Sequence, residues 1–294
     1  MTHIHRASLP HWKIANYAPL SFAARPLLAG ILNCTPDSFS DGGQFATTDQ
    51  AIAHGKRMIE QGADMLDIGG ESTRPGAARV SSAQQIQRIQ PVIRALRQHS
   101  AIPISVDTTL SQVAAAALEA GANIVNDVSA GEEDSQLLRV AAQAGAGLIL
   151  MHRLRAPGQD HYSNEYISPP VYNNVTHEVL EKLLLLARRA NACGVAREHI
   201  VIDPGFGFGK TVAQNFELLQ HLGDIAAAGF PIMVSLSRKS FLGAACGGNQ
   251  PSERLPASLT AAAIAAGNGA AILRAHDVAE HRQLLCISSA CAAC

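Results

Sequence analysis

The sequence predicts an α/β fold, a single (β/α)8 TIM barrel with a short N-terminal extension. Three observations predict it. Short apolar runs alternate with longer stretches of helical period. The alternation occurs eight times within 294 residues, a length that such barrels commonly reach as one unit. Run after run ends in a chemically able polar side chain. Hydrophobic residues make up 47% of the chain, which supports a large core and excludes wholesale disorder. Aromatic residues are only 4%, so Ala, Leu, Ile, Val and Gly must fill that core. Small side chains suit close packing of helices on a sheet.

The elements follow in order. Strands are expected at Leu28–Asn33, Met65–Ile68, Pro103–Asp107, Ile124–Asn126, Leu148–Met151, Ile200–Asp203, Ile232–Ser235 and Ala271–Arg274. Helical stretches lie between and after them, at Asp49–Gln61, Ser82–Gln98, Ser111–Ala120, Ser135–Ala144, Thr176–Ala192, Asn215–Leu222, Ser252–Ala266 and Val278–Ser288. Several of these helices close on a glycine (Gly62, Gly121, Gly145, Gly194), the expected left-handed stop. A doubly wound open sheet is the alternative, because periodicity does not show closure. The long connection from His152 to Asn174 holds Pro157, Pro169 and Pro170 and reads as a loop, since the alternation resumes in phase after it. The chain thus divides into an N-terminal arm (1–26), one barrel domain (27–288) and a C-terminal tail (289–294).

Lys and Arg number 23 against 24 Asp and Glu, a net charge of −1, so no electrostatic case arises for nucleic acid or an anionic membrane as partner. The N-terminus has no apolar run of secretory type, and Ala257–Leu273, the most apolar stretch, is Ala- and Gly-rich and too weak for a membrane span. A cytoplasmic location is expected. The six cysteines form neither a disulfide framework nor a zinc site; the tail holding Cys286, Cys291 and Cys294 is expected to fray.

The polar residues at strand ends are Asn33, Asp67, Asp107, Asn126, His152, Asp203, then Ser237 with Arg238 and Lys239, and finally Arg274 with His276. One strand-end Asp is often an ordinary helix cap. A ring of them costs free energy unless satisfied, and barrels of this kind carry their active sites at that rim. Four segments stand out: Gly30 to Gly43 (GILNCTPDSFSDGG), Asp67 to Gly76 (DIGGESTRPG), Asp203 to Lys210 (DPGFGFGK) and Ser235 to Gly243 (SLSRKSFLG). The third is not a phosphate loop, because Pro204 stands five before Gly209, and its glycine spacing does not fit the dinucleotide fingerprint either.

Together and in this order, these motifs resemble those of dihydropteroate synthase, the pterin-binding barrel family of folate biosynthesis. The resemblance spans about residues 27 to 288. It implies a transferase that joins 6-hydroxymethyl-7,8-dihydropterin diphosphate to 4-aminobenzoate, releasing pyrophosphate and forming 7,8-dihydropteroate. By the family pattern Asp203, helped by Asp107 and Asn126, grips the aminopyrimidinone edge of the pterin, and Lys239 faces the acceptor side of its ring. Arg274, Ala275 and His276 are implied for the diphosphate, and Thr73 for substrate binding. The implied cofactor is Mg²⁺, with Asn33 as its protein ligand; a single amide oxygen suits an ion held mainly by water and substrate phosphates.

Asp107, Lys239, Arg274, Asp41 and Arg74 are the implied catalytic set, acting through electrostatics and positioning. The first two loops, with Phe39, Asp41 and Arg74, are the implied lid. Phe39, Arg74, Pro75, Phe208, Ser237 and Lys239 would wall the aminobenzoate pocket, which sulfonamides should also enter. A homodimer is implied, with the last two helices as candidate interface elements. Three places depart from the pattern: Cys34 where an aliphatic residue is frequent, Ser235 where many members have Gly, and the fifth loop, which begins Met151-His152-Arg153-Leu154 where many relatives continue with Met-Gln-Gly. Two other readings are a pterin-binding methyltransferase acting with a corrinoid protein, which needs no diphosphate cradle, and a non-catalytic paralogue, which would have lost some of Asn33, Asp107, Asp203, Lys239 and Arg274.

Overall fold

The computed structural model describes residues 11–35, 48–248 and 250–292. Eight parallel strands run in the order β6-β5-β4-β3-β2-β1-β8-β7. They are β1 (Leu27–Asn33), β2 (Met65–Gly69), β3 (Ile104–Asp107), β4 (Ile124–Asp127), β5 (Gly147–Met151), β6 (Ile200–Asp203), β7 (Met233–Ser235) and β8 (Ile272–Ala275). The seam between β6 and β7 is drawn together by a parallel bridge from Ile202 to Ile232, with the Ile202 amide donating to the Pro231 carbonyl over 3.0 Å. The open-sheet alternative is thereby excluded.

Strand residues alternate between two faces, and here the two parities have different chemistry. Leu66, Ile68, Val106, Val125, Leu148, Leu150, Ile200, Ile202, Val234 and Leu273 belong to the large outer core against the helices. The other parity points into the barrel. Its lower layer is apolar: Ala29, Met65, Ile124, Ile149, Val201, Met233 and Ile272 pack around Trp12, Ile14 and Phe22 of the N-terminal arm. One step up each strand stand Ile31, Asp67, Asn126, Met151, Asp203, Ser235 and Arg274, with Asp107 beside them on β3. The arm is paired to itself through Trp12 and Leu20, and the fully buried Trp12 ring stoppers the barrel at the end opposite that polar layer. Its indole Nε1 donates to the His199 carbonyl over 2.8 Å, satisfying the one polar atom the burial would otherwise strand.

The helices are α1 (Thr48–Glu60), α2 (Ser82–His99), α3 (Ser111–Glu119), α4 (Gln136–Gln143), α5 (Val175–Ala192), α6 (Val212–Gln220), α7 (Leu222–Ala226), α8 (Ser240–Ala245), α9 (Leu255–Gly267) and α10 (Val278–Ala292). The four expected stop glycines all adopt positive φ. Four features differ from expectation, the first being α8, where no helix was expected. The helix expected over Asn215–Leu222 begins earlier, at a capping box formed by Thr211 and Gln214, and α7 follows it after a break at His221. The helix expected from Ser252 opens instead as a single 3-10 turn, Pro251–Glu253, and becomes α-helical at Leu255, with prolines at the start of each piece. The expected frayed tail from 289 is helical through Ala292, because nothing between Ser288 and Ala292 is a Gly or Pro that would stop α10. No helix among the described residues is long and apolar enough to cross a membrane.

Candidate active site

The polar layer of the barrel interior is wired together. Arg274 on β8 reaches across the axis, donating from Nε to Asp67 Oδ2 over 2.6 Å and from Nη2 to Asp107 Oδ2 over 2.9 Å. Asn126 donates from Nδ2 to the same Asp67 oxygen over 3.1 Å. A carboxylate only accepts, so this contact fixes the amide with its oxygen turned the other way. Asp67 Oδ1, Asp107 Oδ1 and Asn126 Oδ1 are buried and have no protein donor. Asp203 accepts the Gly205 amide on Oδ1 over 2.7 Å, and its second oxygen has no hydrogen bond among the described residues. These open acceptor atoms in the barrel interior can receive a ligand that presents several N–H groups. Burial pushes the Asp107 carboxyl up to about 7, with Arg274 opposing and Asp67 assisting, and pushes Asp203 up to about 6.

Cations stand above these acceptors. Lys239 places Nζ 4.4 Å from the centroid of the Phe208 ring, and burial lowers its ammonium to about 8. His276 bonds through Nδ1 to Ser237 Oγ over 3.0 Å. Burial, then the charges of Arg238, Arg274, Arg74 and Lys239, hold its imidazole well below the ordinary value. Arg238 between Ser237 and Lys239 has φ 60°, a left-handed conformation that costs a non-glycine residue about 1 kcal/mol or more. Asp277 holds its guanidinium through two bonds, and Ser258 Oγ accepts its amide over 2.8 Å. That clamp turns the side chains on either side into the mouth. The sequence carried no sign of this bend, because nothing local marks Arg238 as left-handed.

The glycine-rich loop after β6 is tightly fixed. Gly205 has φ +68°, and a Cβ there would lie 1.9 Å from the His152 carbonyl oxygen. Lys210 is wholly buried and donates to the carbonyls of Gly205 (3.0 Å) and Phe208 (2.9 Å), with His152 Nδ1 at 3.1 Å. It is an internal strut of the loop, in keeping with the exclusion of a phosphate loop there. His152, counted in the strand-end ring, is taken up by this strut beneath the loop; burial and then Lys210 keep its imidazole well below the usual range.

One cavity of about 330 Å³ opens at this rim. Asn33, Thr73, Arg74, Pro75, Phe208, Ser237, Lys239, Arg274 and His276 line it, and Asp107, Asn126 and Asp203 do not. Asp107, Asn126 and Asp203 lie buried, with Asp107 paired to the Arg274 fork. Ala275 is buried in the backbone of β8 between Arg274 and His276. Phe39 and Asp41 fall outside the described residues. Sequence reasoning missed the outer wall, formed by Tyr162, Asn164 and Glu165 of the long fifth loop and by Gln250, Pro251 and Arg254 before α9. Only proximity in space reveals it.

Open acceptors in the barrel interior, cations at the opening and a sealed far end define a barrel protein whose mouth suits a ligand with both hydrogen-bond donors and an anionic group. Residues 29–276 match the family described as pterin binding enzyme. The dihydropteroate synthase of Streptococcus pyogenes serotype M3 is 44% identical over 263 residues, 89% of this chain and 94% of its own. Among solved structures, Xanthomonas albilineans dihydropteroate synthase with 4-aminobenzoic acid shares 39% identity and a TM-score of 0.87, covering 97% of this chain and 99% of that one. Yersinia pestis dihydropteroate synthase in complex with a sulfonamide drug shares 39% identity and a TM-score of 0.88, covering 95% and 98%. The chain belongs to the pterin-binding enzyme family and, within it, to the dihydropteroate synthases.

Proposed function

We infer that this chain condenses 6-hydroxymethyl-7,8-dihydropterin diphosphate with 4-aminobenzoate, giving 7,8-dihydropteroate and pyrophosphate. The observation that carries this reading is the Arg274 fork, which lines the open cavity while pairing with Asp107 in the acceptor layer. One ligand reaching from that layer to the cavity would meet acceptors at its ring and a cation at its tail. The pterin edge donates to Asp203, Asp107 Oδ1 and Asn126 Oδ1, bonds that are strong because two of the acceptors are charged. Lys239 covers the acceptor side of the ring. Thr73, Arg274 and His276 take the diphosphate, the imidazole offering it a ring N–H.

In the reaction the bond from the exocyclic carbon to the diphosphate oxygen breaks and its electron pair leaves with pyrophosphate. The arylamine nitrogen then forms the new C–N bond and sheds one proton. Negative charge grows on the leaving group, where Arg274 already stands in place. Arg74, Pro75, Phe208, Ser237 and Lys239 hold the aminobenzoate, and a sulfonamide of similar shape competes for the same wall. Phe39 and Asp41 complete the assignment from the resemblance alone.

Among the described residues no three His, Cys, Asp or Glu side chains group to hold a metal. Asn33 lines the cavity, and its side chain has no hydrogen-bond partner among the described residues. This donor set fits Mg²⁺ bound through one amide oxygen, water and substrate phosphates, and does not fit a dedicated cage. Bound there, the ion would neutralise charge on the departing diphosphate. A homodimer is carried over from the resemblance alone; sedimentation should give the mass of two chains, and a mass of one chain would reject it.

The test is pyrophosphate release from the pterin diphosphate, measured with and without 4-aminobenzoate and Mg²⁺. Release that depends on the amine is expected, and release indifferent to it would reject the reading.

A further inference from the structure

Asp67 stands in the acceptor layer, 1% exposed, and the family resemblance gives it no role. We propose that Asp67 is a positioning residue which sets the orientation of Arg274 and Asn126 together, linking the grip on the anionic tail to the grip on the heterocycle. This rests on the synthase reading above.

The geometry makes the case. A guanidinium is planar and its donors are fixed in that plane, so pinning two of its nitrogens fixes the third. Asp67 takes Nε and Asp107 takes Nη2, over 2.6 and 2.9 Å. Nη1 is thereby the prong left over, and the Arg274 side chain, 14% exposed, lines the cavity. Without Asp67 the guanidinium would be held at Asp107 alone and could swing about that contact. The same Asp67 oxygen receives the Asn126 amide hydrogen and so decides which end of that amide meets a ligand. A neutral residue in place of Asp67 would loosen the fork and let the amide flip, two faults at opposite ends of one substrate.

Asp67→Asn keeps the shape and one acceptor while removing the charge, and Asp67→Glu keeps the charge and moves it. Both variants are to be purified, checked for folding by thermal melting, and assayed alone and combined with Arg274→Lys. We expect Asp67→Asn to lower kcat/KM for the pterin diphosphate by at least ~10-fold, with kcat carrying most of the loss. The KM for 4-aminobenzoate should stay within about twofold, since Asp67 reaches no part of that wall. In the Arg274→Lys background, where no fork remains to position, the further loss should shrink to about threefold or less. Calorimetric binding of 6-hydroxymethylpterin without phosphates should weaken with Asp67→Asn in both backgrounds, because that arm reports Asn126.

Losses that multiply fully in both backgrounds, or an unchanged kcat/KM, would overturn the proposal. A role in stability alone would lower the melting temperature and leave the KM and kcat of the folded protein untouched. Should neither variant fold, the wild-type chain still decides. The Arg274 Nε–H resonance, identified by its absence in Arg274→Lys, should be protected from solvent exchange without ligand, and rapid exchange would refute the pinned fork. Wild-type pyrophosphate release is measured in parallel, so failure of the synthase reading is seen separately from failure of this role.

Discussion

At the scale of single residues the site is a balance of buried charges, and pH should show it. Asp203 is raised by burial to about 6, and Asp107 is raised by burial against the opposing charge of Arg274, so both carboxyls lose charge at a higher pH than a free carboxyl would. Lys239, lowered by burial to about 8, is charged only below it. As pH falls toward 6 the carboxyls assigned to the pterin edge lose charge; as pH rises through 8 the ammonium assigned to the ring is lost. The expected profile of kcat/KM for the pterin diphosphate is therefore a narrow bell with its summit between about 7 and 8. A profile flat from pH 5.5 to 7.5 would contradict these assignments. The Arg274 ion pairs also change what its removal means. Arg274→Ala would strip the diphosphate site and leave Asp67 and Asp107 buried without a counter-charge, so pterin binding suffers too. The sequence made Asp107, Asn126, Asp203 and Arg274 legible because each ends an apolar strand. It did not make their mutual bonds legible, since partners 59 to 207 positions apart share no local pattern.

At the scale of elements, the loop from Asp203 to Lys210 shows how backbone geometry serves the site. Gly205 touches the fifth strand's exit so closely that a methyl group must displace either loop. Gly205→Ala should lose at least about 2 kcal/mol in denaturant unfolding. It should also weaken 4-aminobenzoate binding, because Phe208 rides on the same loop. An alanine variant of full stability would show that the contact relaxes freely. The strands and most helices were readable from periodicity and glycine stops. The fine divisions were not: the break at His221, the short α8 and the 3-10 turn before α9 depend on packing rather than on composition. α10 outran its expected end for the converse reason, as small residues with no breaker leave the boundary to tertiary contacts.

At the scale of the whole molecule, two ends of one barrel do different work. The lower end is an apolar plug, and Trp12 is its largest piece. Trp12→Ala should cost about 3–5 kcal/mol through the hole it leaves, while turnover per folded molecule holds, since the mouth lies at the opposite end. A large loss of turnover in the folded fraction would mean that the plug shapes the upper layer as well. Nothing in the first 26 residues matched a family motif, so the part of Trp12, Ile14 and Phe22 as a stopper could be seen only once the barrel was closed around them. That stopper has a further consequence for traffic. With the floor shut, everything enters and leaves by the same door, and the acceptor layer lies deeper than the amine's wall. On the synthase reading, the heterocycle is therefore expected to be seated before its co-substrate and the joined product to depart last, as from a shaft rather than a corridor.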